Sequence, residues 1–160
     1  MTELYRPASD FLEAVAADEV PLFGSDFAAA NFQRLIAMTR DEDRSNRDWA
    51  TLLLSQQDVD TPEVREALTI AACDEDDVVR AEALLGLAQR DRELALPFAI
   101  TVLSGERACM PVFEAAALIA DPSLVELLRP WAQTSDDDFL DKLAREALAA
   151  CESGEPVTRI

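Results

Sequence analysis

The stretch DEDDVVRAEALLGLAQRDRELALPFAITVL, Asp74 to Leu103, reads as two consecutive helices. In its first half Arg80, Ala83, Leu84 and Leu87 fall at i, i+3, i+4 and i+7, one face of a 3.6-residue helix. In its second half Leu96, Ala99, Ile100 and Leu103 repeat the spacing. Asp76 or Asp77 supplies a carboxylate to cap the free N–H groups at the start of the first helix.

Both faces recur along the chain. The second matches Phe32, Leu35, Ile36, Thr39, then Val64, Ala67, Leu68, Ala71, and later Leu124, Leu127, Leu128, Trp131. The first matches Arg47, Ala50, Thr51, Leu54, then Phe113, Ala116, Ala117, Ala120, and finally Ala144, Ala147, Leu148, Cys151. Two helical faces repeating in step every thirty-odd residues describe stacked helix pairs, each burying its apolar stripe against the next. The spacing predicts an N-terminal helix at 9–18, a loop with Pro21 and Gly24, and four outer/inner pairs. These are 26–39 with 45–57, 62–73 with 77–90, 92–104 with 109–120, and 123–133 with 137–151. Caps are expected at Asp26, at Asp43 or Ser45, at Thr61 ahead of Pro62, at Asp121 and within 135–137. Pro111 suits a first turn, whereas Pro97 and Pro130 should bend or shorten their helices. The expected organisation is therefore a helix and loop over 1–25, a repeat array over 26–152 and a frayed tail over 153–160. The fold class is all-α, an α-solenoid of about four stacked pairs with an N-terminal capping helix.

Composition agrees. Among 160 residues there are 27 Ala and 21 Leu but only 10 Val and 5 Ile, a balance that favours helix over sheet. Thirty-two acidic residues against fourteen basic ones leave a net charge of −18. On a globule of this mass that is about one net negative charge per 440 Å². Direct gripping of nucleic acid or of anionic lipid needs cationic patches, so neither is expected. No apolar run reaches the length of a membrane span, and the acidic start MTELYRPASDFLEAVAADE is unlike a signal peptide, so the expected location is cytoplasmic. Cys73, Cys109 and Cys151 form no CxxC pair and lie in or beside apolar helical stretches, where they read as small core residues.

The segment Asp74 to Leu103 resembles the HEAT-repeat family, whose Asp-x-x-Val-Arg-x-x-Ala pattern matches Asp76, Val79, Arg80 and Ala83. RDWATLLLSQQDVDTPEVREAL, Arg47 to Leu68, is similar to a bacterial subgroup of small HEAT-like proteins. The resemblance is good over 41–103, weaker to Cys151 and faint before 26. It implies that the second helix of each pair lines a concave side and that an Asp/Arg ladder runs between layers. Arg47 and Arg80 match the ladder arginine, with Asp43 and Asp76 four residues earlier. Phe113 and Ala144 occupy the equivalent positions in the later pairs, so the ladder should stop after two layers.

Chemistry is hard to place on this chain. With no histidine there is no His-based triad, general base or metal ligand. Thr51, Ser55 and Ser104 lack an activating base, the single lysine Lys142 sits among charged residues, and four glycines make no phosphate loop. No catalytic, cofactor or metal residue is assigned. The acidic runs 41–43, 74–77 and 136–138 fall at helix starts, where carboxylates cap N–H groups and favour the dipole; they could also form a negative rim. Residues just after the ladder position should face the hollow side, which places Asp48, Trp49, Glu82, Glu114 and Glu146 there as an acidic stripe with an aromatic anchor at one end. The alternative is that Trp49 packs under the N-terminal helix and the acids are ordinary solvated residues. The expected role is a non-enzymatic module, a monomer, binding a basic protein through this face. Narrower or competing readings are an inhibitor or immunity protein neutralising a basic, nuclease-like toxin, a HEAT-like enzyme on modified nucleic acid, and an architectural subunit.

Overall fold

The structure, a computed structural model, describes residues 5–157. Every regular element among them is helical. In order these are α1 (Asp10–Ala16), α2 (Asp26–Met38), α3 (Arg44–Gln56), α4 (Pro62–Ala71), α5 (Asp77–Arg90), α6 (Arg92–Leu103) and α7 (Met110–Ile119). A 3-10 turn at Pro122–Leu124 then leads into the short α8 (Val125–Leu128), and α9 (Asp138–Ser153) closes the array.

Side-chain oxygens start most of these helices. Asp43 accepts from the Asn46 N–H, Thr61 from Val64, Asp76 from Val78 and Val79, and Asp137 from Phe139 and Leu140. Ser25, not Asp26, caps α2, and Asp26 becomes the first helical residue, where its charge suits the positive helix end. Asp91 serves twice, ending α5 and capping α6.

Alternate helices form a row in which α3 packs on α5, α5 on α7 and α7 on α9. The contacts are made of small residues: Ala50, Ala81, Ala83, Ala115, Ala116, Ala144 and Ala147 are all buried. The other helices lie along this row, α2 on α3, α4 and α6 on α5, and α8 on α9. Leu54, Leu68, Leu84, Leu87, Leu124 and Leu128 fill the layer between, each fully buried.

At the α3–α5 contact a side chain on Gly86 would overlap the Ser55 hydroxyl and come within 3.0 Å of Ser55 Cβ and 3.1 Å of Leu68 Cδ1. The Ser55 hydroxyl donates to the Glu82 carbonyl at 3.0 Å. One turn on, Arg90 clamps the same junction. Its guanidinium donates to the carbonyls of Gln57 (2.7 Å), Gly86 (2.8 Å) and Val59 (2.9 Å), and more distantly to Ser55 and Leu54. Arg90 of α5 thus reaches carbonyls at and just beyond the end of α3, where Gln57 serves Leu53 and Leu54 as well.

Arg47 and Arg80 are structural arginines that pair with acids of the next layer and of their own turn, and the acids are Asp74 and Asp77, not Asp43 and Asp76. Arg47 reaches to the next layer and meets Asp74 (Nε to Oδ2 3.0 Å), while donating to the Asp41 and Glu42 carbonyls. Arg80 pairs with Asp77 and donates to the Asp74 carbonyl at 2.6 Å. Asp43 and Asp76 are helix caps instead of ladder partners, although Asp76 also pairs with Arg44.

One expectation is met and three are corrected. The helix predicted over 123–133 is shortened, as expected of Pro130, to a 3-10 turn and four residues, because Pro130 has no N–H for the Glu126 carbonyl. Pro97, by contrast, sits inside an unbroken α6, on an exposed position. Cys73 is exposed rather than a core residue, whereas Cys151 is buried and Cys109 half-buried. The tail predicted to fray over 153–160 turns back at Gly154 (φ 71°), and the Val157 N–H donates to the Ala117 carbonyl at 3.1 Å. Residues 158–160 lie outside the described residues.

Gly86→Ala is expected to lower unfolding stability by about 1–3 kcal/mol through overpacking. Part of that loss should vanish when Ser55 is already Ala, giving a non-additive double-mutant cycle in chemical denaturation. Additive losses would show that the α3–α5 approach is not set by this pair. Arg90→Met should cost about 2 kcal/mol, since several carbonyls lose a charged donor.

Candidate functional site

Because α3, α5 and α7 are packed through small residues, Asp48, Glu82 and Glu114 share one electrostatic environment. Asp48 is buried, and its carboxylate accepts the Tyr5 hydroxyl. Burial raises its pKa, Asp76 adds to the rise, and the Tyr5 hydrogen bond and Arg44 oppose it. Glu82, on α5, is half-buried. Desolvation, then the charges of Asp48 and Glu114 on the flanking helices, push it up to about 7. The Cys109 thiol lies in the same field, pushed up to about 11 by burial and then by Glu82, Asp77 and Asp48. The raised thiol pKa makes Cys109 a poor nucleophile at neutral pH.

Glu114 and Glu146 meet at a different feature, a pocket of about 200 Å³ between α5, α7 and α9. Its walls are Leu85, Phe113, Leu118 and Leu143, with Gln89 and the two glutamates as the polar lining. Val157 forms part of the wall, held there by its bond to Ala117. Arg145, which precedes Glu146, is exposed and donates to the Ala132 carbonyl at 3.1 Å.

Trp49 is placed apart from this pocket. It is half-buried beneath the N-terminal segment, its ring stacked on Tyr5 at 6.3 Å between centroids. Tyr5, Arg6, Pro7 and Glu13 line a shallow groove with it. Its indole N–H is buried and has no hydrogen-bond partner among the described residues. The second tryptophan, Trp131, packs edge-on against Phe113 at 6.0 Å and donates to the Leu103 carbonyl.

The acidic runs at the helix starts are engaged locally. Asp41 accepts from the Asp43 N–H and from the Asn46 amide, Asp74 from Arg47 and the Asp76 N–H, and Asp137 from the first turn of α9. No group of three or more His, Cys, Asp or Glu side chains is arranged to hold a metal ion among the described residues. No helix there is long and apolar enough to cross a membrane. Sequence reasoning missed the role of Tyr5, the place of Cys109 in the acidic field, and the pocket itself.

No protein-family model matches the chain. Two curated Escherichia coli proteins, both called YibA, from strain K12 and from O157:H7, are each 26% identical over 121 residues. The match covers 72% of this chain and 43% of theirs, so the chain spans less than half the length of these relatives. The X-ray structure of Escherichia coli YibA aligns with a TM-score of 0.60 at 22% identity, over 86% of this chain and 54% of that one. That likeness establishes a shared all-helical fold and carries nothing about activity.

Glu82 provides a pH test. Its folded pKa is raised above the ordinary glutamate value, so its contribution to stability is full below about pH 4.5 and is lost as pH rises towards about 7. Glu82→Gln should therefore flatten the fall in stability across that window. The Glu82 side-chain carboxyl carbon, followed by NMR, should titrate with a midpoint near 7, and a midpoint near 4.5 would contradict the shared field.

Proposed function

We propose that this protein is a non-enzymatic interaction module that docks a basic protein through the α3–α5–α7–α9 face. In this reading the helix pairs form a short HEAT-like solenoid and that face is its hollow side. The consecutive packing of α3, α5, α7 and α9 supports it. So does an accessible surface of 9171 Å², larger than the roughly 7,900 Å² of a compact monomer of this mass.

The observation that carries the proposal is the placing of Asp48, Glu82 and Glu114 on the successively packed helices α3, α5 and α7, where both flanking carboxylates add to the burial that raises the pKa of Glu82. Glu82 feels the negative charges of Asp48 and Glu114 on the flanking helices, and an incoming cation would relieve that repulsion. Two helix spacings, about 20 Å, separate the ends of this short row, a scale matched by a basic segment of a protein surface. With a net charge of −18 the whole molecule adds a long-range pull that speeds encounter with a positively charged partner.

Binding of a nona-lysine peptide, measured by calorimetry on the full chain, should weaken steeply as salt rises, because exposed charge attraction is screened. The pair Glu82→Gln and Glu114→Gln, which leaves helix content unchanged, should weaken it about tenfold or more. Undiminished affinity in that double variant would refute the docking row.

A further inference from the structure

We infer that Tyr5 stands in for an arginine of the basic partner at the α3 end of the acidic row. On docking, the partner's guanidinium takes over both contacts that Tyr5 makes, to the Asp48 carboxylate and to the Trp49 ring, and Tyr5 lifts away. The inference rests on the proposed docking of a basic protein and adds a self-contact that the partner displaces.

Tyr5 is held by its side chain alone. Its hydroxyl bonds to Asp48, and its ring stacks on Trp49 with 24° between the planes. Among the described residues neither Tyr5 nor Arg6 makes a backbone hydrogen bond. Beyond them the chain is pinned. Pro7 is buried, the Ala8 N–H donates to Ser45 Oγ at 3.0 Å, and the Ser9 N–H donates to Asn46 Oδ1 at 2.9 Å. Tyr5 is 53% exposed, so it can swing off α3 with Pro7 as the hinge and leave α1 in place.

Both contacts suit an arginine better than a tyrosine. Asp48 is a buried carboxylate with no ion pair among the described residues; Arg44 acts on it but is itself paired with Asp76. The Tyr5 hydroxyl leaves the charge of Asp48 in place, beside those of Asp76 and Glu82. A guanidinium cancels that charge through an ionic hydrogen bond, about twice as strong as a neutral one. Its plane also lies well on an aromatic face, as that of Arg34 does over Phe11 at 4.2 Å. Lysine brings the charge without the plane. The covered arrangement moreover leaves the Trp49 indole N–H buried with no acceptor among the described residues, a cost that the Tyr5 stack does not remove. Beside the two rings the groove carries Glu13 and Glu19 against one cation, Arg6, so its lining too favours a basic occupant.

Tyr5 is the single tyrosine of the chain, so its ring reports on this contact alone. The full chain with a carbon-13-labelled tyrosine ring is titrated with nona-arginine at low salt and followed by NMR. The ring signals should move to those of an unstacked tyrosine as the peptide binds. Nona-citrulline, neutral and of similar shape, should leave them unmoved. Tyr5→Ala, which removes the competing contacts, should tighten nona-arginine binding about fivefold or more in calorimetry. Adding Asp48→Asn to that variant should abolish the gain. Circular dichroism checks the helices of each variant, and the ring titration of the parent chain decides the matter if Tyr5→Ala does not fold. Binding that leaves the Tyr5 ring unmoved, or that Tyr5→Ala does not tighten, overturns the stand-in. So does a gain that survives Asp48→Asn, or release of the ring by nona-citrulline. The docking row still stands in those cases if the pair Glu82→Gln and Glu114→Gln weakens binding. Absence of binding by both the parent and Tyr5→Ala overturns the row and the stand-in together.

Discussion

Gly86 lets α5 lie against Ser55 of α3 with no side chain interposed, and the rest of the acidic face depends on that approach. The same junction is tied by the Ser55 bond to the Glu82 carbonyl and by the Arg90 guanidinium spread over the end of α3. Glu82 therefore belongs to the very turn that packs most tightly. Its backbone is held by the neighbouring helix while its carboxyl is held near Asp48. A looser contact would admit water between the helices and screen the two charges from one another. Packing by small residues thus acts on the charges of this face.

The carboxylates divide into two populations with opposite shifts. Those at helix starts and turns are held below the usual range by hydrogen bonds or by arginine. Asp43 is lowered by Ser45 and the Asn46 N–H, and Asp141 by the Ser135 hydroxyl and N–H. Asp76, despite the cost of burial, is lowered by two backbone N–H groups and Arg44. On the α3–α5 face the balance reverses: burial dominates at Asp48 and Glu82, and neighbouring carboxylates add to it. In the first group Asp43 and Asp76 cap helix starts and Asp141 ties Ser135 to the first turn of α9. In the second group burial and neighbouring carboxylates raise the cost of ionisation.

Both chain ends shape this face. The N-terminal segment lays Tyr5 over Trp49 and gives Asp48 its hydroxyl donor, which takes the aromatic pair out of the row of acids. At the other end the chain reverses at Gly154 and ties Val157 to α7, where it joins the lining of the pocket while staying exposed. Neither element belongs to the repeated helical pattern, yet each alters what the pattern presents.

Most of the helical map was legible from periodicity and caps because those signals are local. Apolar spacing of three and four residues, an Asp or Thr followed by free N–H groups, and proline at a first turn act within a few residues. Thr61, Asp76 and Asp137 cap as such signals imply, and Val64, Leu68, Leu84 and Leu87 are buried as their spacing implies. The failures mark where distant segments intervene. Asp74 rather than Asp43 answers Arg47, since a long guanidinium selects the acid that packing brings within reach. Arg90, which no sequence pattern singles out, becomes a clamp only because the end of α3 lies beneath it. The spacing singles out Glu82 together with Asp48 and Glu114, but its distinct proton affinity arises only when three helices close around it, because desolvation and charge repulsion depend on distances that no run of neighbouring residues encodes.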